Sequence, residues 1–152
     1  MPAGSREDGV KTSEEGRALI QSFEQCRLRA YLPTPDDVWT CGWGSTQGVT
    51  EDTEWTQEEA DARFEDDLAV YEKCVEESVD VELTQAKFDA CVSLALNIGR
   101  KAFKDSTLCR LLNAGDYEGA KAQFARWNRQ AGKVLNGLTR RRAAEAEMFG
   151  SA

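Results

Sequence analysis

The sequence predicts an α+β fold, mostly helical, with a small antiparallel β-hairpin region near the N-terminus. Three observations carry this expectation. From Thr56 onward, apolar residues recur at helical spacing over most of the chain. One segment alone, 27–49, is rich in aromatic and β-branched residues and is broken by Pro33, Pro35, Gly42, Gly44 and Gly48. The chain's 152 residues, 41% hydrophobic and 30% charged, match the size and composition of one globular domain.

Taken in order, residues 1–11 are small, polar and Gly-containing and read as a disordered tail, with a single folded domain over 12–152. Thr12 and Ser13, followed by Glu15, open a first helix whose buried face is Leu19, Ile20 and Phe23. Segment 27–49 gives short antiparallel strands joined by turns and is the only β-like stretch. Thr56 with Glu59 forms a capping box, and Phe64, Leu68, Tyr71 and Val75 continue a helix over 56–78. Thr84 caps another through Phe88, Val92 and Leu96 that Gly99 ends. Ser106 to Asn113 makes the next, closed by the turn Asn113-Ala114-Gly115-Asp116. Helices over 117–127 and 137–149 complete the chain. The last has a basic start and an acidic end, the unfavourable polarity for the helix dipole, so its arginines have another use.

Composition then removes whole classes of function. A net charge of -8 repels a phosphate backbone, and no basic stripe compensates, which excludes nucleic acid as a partner. The first fifteen residues hold no apolar core of a signal peptide, and no run near ~18 apolar residues occurs, so neither export signal, membrane anchor nor stable membrane association is expected. Five cysteines, Cys26, Cys41, Cys74, Cys91 and Cys109, form no C-x-x-C pair and are odd in number. They read as reduced, buried thiols in a protein made in a reducing compartment. Histidine is absent, which excludes Ser-His-Asp and Cys-His mechanisms and His-ligated metals. No metal and no cofactor is implied.

Carboxylates remain as the groups for acid and base work, and there are 27. Glu24 directly follows Phe23 near the end of the first helix and precedes Cys26, Leu28 and Tyr31, which sets its carboxylate at the lip of the core. Burial raises a carboxyl pKa, and a glutamate that keeps its proton near neutrality can donate it to a leaving oxygen, as glycosidic cleavage requires. An ordinary boundary glutamate is the alternative.

Four stretches, SFEQCRLRAYL, VWTCGWGSTQGVT, LTQAKFDACVSLALNIGRKAFKDSTLCRLLNAGDY and RWNRQAGKVLNGLTRRRAAE, resemble the bacteriophage lysozymes of glycoside hydrolase family 24 over roughly residues 15 to 150. The specific parts are E-x-x-R-L-x-A-Y, W-T-x-G-W-G, N-x-G with the following F and S-T-L, and G-L-x-x-R-R-x-x-E, all in family order. The resemblance implies a lysozyme-like catalytic domain over 12–152, with the β region as one wall of a cleft and helices as the other. It implicates Glu24 and Thr40 as catalytic. The family's third member, an aspartate or cysteine between them, falls on Pro33 or Thr34 depending on the end counted from, because one extra residue lies between Glu24 and Thr40. Asp37, then Asp36, are the carboxylates left in that turn to take the role; stabilisation of the turn by hydrogen bonds to backbone amides is the competing reading. Cys41 and Ser45 also depart from the family, which more often has an aliphatic residue and a histidine there.

By the same resemblance Arg141 pairs with the catalytic glutamate, against a solvated arginine as the alternative. Asn97, Ser106 and Thr107 face the sugar, against a helix C-terminal turn for the first and capping for the other two. Trp39, Trp43, Trp55 and Trp127 read as core, with stacking on sugar as the alternative, Trp43 foremost. The implied activity is hydrolysis of the β-1,4 bond between N-acetylmuramic acid and N-acetylglucosamine, with Thr40 and the turn aspartate holding the water and inversion at the anomeric carbon. The implied partner is bacterial peptidoglycan. The implied role is that of an endolysin: a monomer made in the host cytoplasm, released by a holin to the periplasmic wall. A lytic transglycosylase and a non-catalytic peptidoglycan-binding protein on a lysozyme fold are the rival readings.

Overall fold

The computed structural model describes residues 9–151. Its elements are α1 (Glu14–Phe23), β1 (Arg27–Tyr31), β2 (Thr40–Gly42), α2 (Gln57–Ser78), α3 (Gln85–Ile98), α4 (Arg100–Lys104), α5 (Thr107–Asn113), α6 (Tyr117–Gln123), a 3-10 turn (Phe124–Arg126), β3 (Arg129–Gln130), β4 (Lys133–Val134) and α7 (Asn136–Phe149). They fall into two compact units: a hairpin unit over Ile20–Val70 and a helical unit made of the rest.

In the hairpin unit, β1 and β2 pair antiparallel with Arg27 opposite Gly42 and Tyr31 opposite Thr40, and the register slips between these two pairs. The other edge of β1 is covered by the chain after Asp52: Ala30 donates to the Thr53 carbonyl at 2.9 Å and Trp55 to the Leu28 carbonyl at 2.8 Å. The link between the strands turns at Thr34-Pro35-Asp36-Asp37, closed by the Asp37 amide on the Thr34 carbonyl at 3.0 Å. Proline's fixed φ suits the second position of such a turn. The capping box opens α2 as expected: the Thr56 amide reaches Glu59 Oε1 at 2.9 Å and the Glu59 amide reaches Thr56 Oγ1 at 3.1 Å. Ile20, Cys41, Ala60, Phe64 and Leu68 form the core of this unit.

The helical unit is built on α3, which is buried from Phe88 to Ala95 and packs against α7, while α5 packs against α6. A helix covered by neighbours carries apolar residues nearly all round, which the run ACVSLAL supplies. Thr84 caps α3 through its hydroxyl on the Lys87 amide, and Gly99 ends it at φ 98°. Phe103, Leu108, Leu112, Phe124 and Phe149 complete the core. The five cysteines are free, four of them buried. Among the described residues no helix is long and apolar enough to cross a membrane.

Four expectations need correction. Residues 1–8 of the expected tail lie outside the described residues, but the Val10 amide is held by Glu76 Oε2 at 3.0 Å and the Lys11 carbonyl by Gln85 at 2.8 Å, so the chain is anchored before residue 12. Phe23, expected in the core, is 36% exposed because α1 ends at that residue, while Ile20 is fully buried. The helix expected over 117–127 tightens to 3-10 after Gln123. Segment 27–49 is not the only β structure: β3 and β4 pair around Ala131 and Gly132, at φ 52° and 80°. Their two-residue, exposed strands carry no apolar alternation that would announce them.

Candidate active site

Glu24 follows directly on α1, its amide reaching back to the Gln21 carbonyl at 3.2 Å, and its side chain is half-buried. It lies against the loop that follows β2. There Cys41 and Ser45 exchange both backbone hydrogen bonds at 2.9 Å, so residues 42–44 form a tight three-residue loop. Such a loop needs residues at positive φ, and Gly42 and Gly44 supply them at 66° and 100°. A Cβ on Gly44 would stand 3.0 Å from Glu24 Oε1, tighter than ordinary contact, so the glycine is what lets the carboxylate lie beside this backbone. The loop is fixed to α2 at three points: the Trp43 indole donates to Asp61 Oδ1 at 2.8 Å, its ring lies 6.1 Å from Phe64, and the Ser45 hydroxyl donates to Asp67 Oδ2 at 2.5 Å.

Thr40, on the same strand end, is buried and donates its hydroxyl to the Val38 carbonyl at 3.0 Å. Asp37 is exposed on the preceding turn, with Oδ1 accepting from the Val38 amide at 2.9 Å. Asp36 is exposed too, and its side chain makes no hydrogen bond with a described residue. The turn-stabilising reading therefore has an observation behind it for Asp37 and none for Asp36. An exposed carboxylate with a second oxygen open to solvent can still accept a proton from water.

Sequence reasoning missed Tyr31. It sits directly across from Thr40, so the two side chains share one face of the ladder, and the Arg27 guanidinium lies 4.3 Å above its ring. Burial lifts the Tyr31 phenol above its usual pKa; Arg27 opposes this, and the charges of Glu24 and Asp37 both add to it. The phenol thus senses both carboxylates. Its signal was the terminal Y of the E-x-x-R-L-x-A-Y motif.

In the helical unit, the arginines that open α7 have the other use their placement implied. Arg141 and Arg142 are 3% and 1% exposed, which rules out the solvated reading for Arg141. Arg141 Nε lies 3.2 Å from Glu145 Oε2, and Arg142 Nε lies 2.7 Å from Glu145 Oε1. Ser93 donates its hydroxyl to the same carboxylate, and the Ser93 carbonyl accepts from Arg141 Nη2 at 3.3 Å. Burial lifts the Glu145 carboxyl above its usual range, with the Arg142 and Arg141 guanidiniums and the Ser93 hydroxyl opposing the rise.

Of the residues expected to face sugar, Ser106 makes the capping bonds that were its alternative. It is buried at the N-cap of α5, its hydroxyl donating to the Phe103 carbonyl at 2.6 Å and accepting from the Cys109 amide at 3.0 Å, which commits it to capping. Thr107 is exposed, with its hydroxyl accepting from Arg110 at 2.8 Å, and Asn97 is exposed in the last turn of α3.

The hairpin unit thus holds the half-buried Glu24, the buried Thr40 and the exposed turn aspartates Asp36 and Asp37. A model of the phage lysozyme family matches residues 21–145. The chain is 42% identical over 144 residues to the endolysin of Acyrthosiphon pisum secondary endosymbiont phage 1, covering 92% of this chain and 98% of that one. It is 39% identical over 142 residues to the endolysin of Bacillus phage B103, covering 92% of this chain but 54% of that one, so it spans about half the length of that relative. Its structure is similar to the muramidase domain of SpmX from Asticaccaulis excentricus, with a TM-score of 0.86 at 38% identity over 93% of this chain and 99% of that one. The chain belongs to the phage lysozyme family.

Proposed function

We propose that this chain is an endolysin of the muramidase type, one catalytic domain over 12–152 that hydrolyses the β-1,4 bond between N-acetylmuramic acid and N-acetylglucosamine in bacterial peptidoglycan. The observation that supports this most strongly is the half-buried Glu24 carboxylate against the Gly44 backbone, on the loop that begins at the buried Thr40. Glu24 protonates the glycosidic oxygen. Thr40 and a turn aspartate, Asp37 ahead of Asp36, hold the water that attacks the opposite face, which inverts the anomeric carbon. Asn97 and Thr107 support the bound glycan, and Arg141 is a supporting residue that does not face it. The protein acts as a monomer, is made in the host cytoplasm and depends on a holin to reach the periplasmic wall.

The test is turbidity loss of outer-membrane-permeabilised Gram-negative cells, with folding of every variant checked by circular dichroism. The parent clears the cells, and folded Glu24→Gln loses about 1,000-fold or more of the rate, the scale of a general acid. Asp37→Asn loses about 100-fold, and Asp36→Asn less. A parent that binds sacculi without clearing cells contradicts the reading. A fully active Asp37→Asn together with a dead Asp36→Asn moves the water-holding role by one residue.

A further inference from the structure

Where the family more often carries a histidine, this chain has Ser45, and that residue is not left loose. It is 2% exposed, and its hydroxyl donates to Asp67 Oδ2 at 2.5 Å. A hydrogen bond to an ionised acceptor, sheltered from water, is stronger and more directional than one at the surface. The second polar anchor of the same loop, Trp43 on Asp61, is open to solvent by comparison.

Ser45 also closes the loop through its backbone, exchanging both hydrogen bonds with Cys41 at 2.9 Å. Cys41 is the neighbour of Thr40, and Ser45 is the neighbour of Gly44, where an added Cβ would stand 3.0 Å from Glu24 Oε1. The Asp67 carboxylate therefore reaches two members of the site through one residue: Thr40 on one side of the loop and the Gly44 seat of Glu24 on the other. Arg63, one turn earlier on α2, donates to the Gln47 carbonyl at 2.5 Å and continues the attachment past Ser45. Burial lifts the Asp67 carboxyl above its usual range, with the Ser45 hydroxyl and Arg63 opposing the rise. Burying an acid costs stability unless its oxygens are hydrogen-bonded, and Ser45 supplies such a bond to Asp67.

We propose that Ser45 and Asp67 are a positioning pair: by clamping the 41–45 loop to α2 they set the placement of the Glu24 carboxyl relative to the Thr40 hydroxyl, and so govern turnover rather than glycan binding. This rests on the reading of Glu24 as the general acid.

The experiment measures kcat and KM on soluble peptidoglycan fragments for the parent, Ser45→Ala, Asp67→Ala, Asp67→Asn and Glu24→Gln, normalised to the folded fraction from urea titration. Ser45→Ala and Asp67→Ala lower kcat about tenfold with KM within about twofold, the signature of a misplaced reacting group. Asp67→Asn keeps an acceptor for the Ser45 hydroxyl and recovers kcat to within about threefold of the parent. A purely structural role predicts something else: kcat per folded molecule unchanged in both alanine variants, with only the urea midpoint lowered, and that result overturns the proposal. Loss of binding, with KM raised and kcat kept, overturns it as well. A dead Glu24→Gln beside a fully active Ser45→Ala removes the positioning pair alone, whereas an active Glu24→Gln removes the reading on which it rests.

Discussion

Glu24 and Glu145 show how the two units use the same side chain in opposite ways. Glu145 is 0% exposed between two guanidiniums and a hydroxyl, with its hydrogen bonds gathered on Oε2. Glu24 is half-buried beside a glycine turn, where a Cβ on Gly44 would crowd its carboxyl. The charge of the units follows the same division. The hairpin unit, 20–70, carries 12 acidic and 3 basic residues, a net of -9, while the helical unit carries 15 acidic and 16 basic, a net of +1. The helical unit is close to neutral, and the hairpin unit carries the chain's excess of carboxylates.

The largest effect that would sharpen this contrast is on stability. Glu145→Ala leaves Arg141 and Arg142 buried without their anion, and breaking such a pair costs about 3–5 kcal/mol. Urea unfolding reads it, and a loss below about 1 kcal/mol would mean that the cluster is not the anchor of α7. Next comes a rate effect. Peptidoglycan and its attached polymers are mostly anionic, so a hairpin unit at -9 is repelled at low ionic strength. Raising salt from about 10 to about 150 mM, which shortens the Debye length to about 8 Å, speeds lysis about two- to fivefold. The exposed pair Glu51→Lys with Asp52→Lys flattens that rise. A rate that falls with salt in the parent contradicts the repulsion.

The smallest effect concerns Asp67. Its native pKa lies above the ordinary carboxylate value, chiefly through burial, with Arg63 lowering it and Asp66 raising it. The native state therefore holds that proton more tightly than the unfolded chain. The stabilisation is complete below the unfolded pKa of about 3.9 and is lost as pH rises through the native value. Asp67→Asn removes this dependence, so its urea midpoint gains on the parent between about pH 4 and about pH 7. A gap that stays constant with pH would show that Asp67 titrates as in the unfolded chain.

What could be read from the sequence was local. Thr56 with Glu59 and Thr84 announced helix starts because a cap and its amide lie three residues apart. Ser106 gave the same signal and is a cap, its hydroxyl having both a local donor and a local acceptor. Glu24 and Thr40 were legible from motifs, and so was the extra residue between them. The pairs that hold the site and the core were not, since Ser45 meets Asp67 across 22 positions and Ser93 meets Glu145 across 52. No local pattern encodes such partners. The part of Tyr31 was hidden for a related reason: its facing Thr40 depends on a register that slips within β1 and β2.

The central claim is that this chain adds water to a glycosidic bond with Glu24 as the acid. The most direct measurement is mass analysis of products from purified sacculi, quenched early and treated with borohydride. The account predicts muropeptides whose N-acetylmuramic acid ends are reducing and take up hydride, formed by the parent and absent with folded Glu24→Gln. Anhydro ends one water lighter, or reducing ends formed equally by Glu24→Gln, would contradict it.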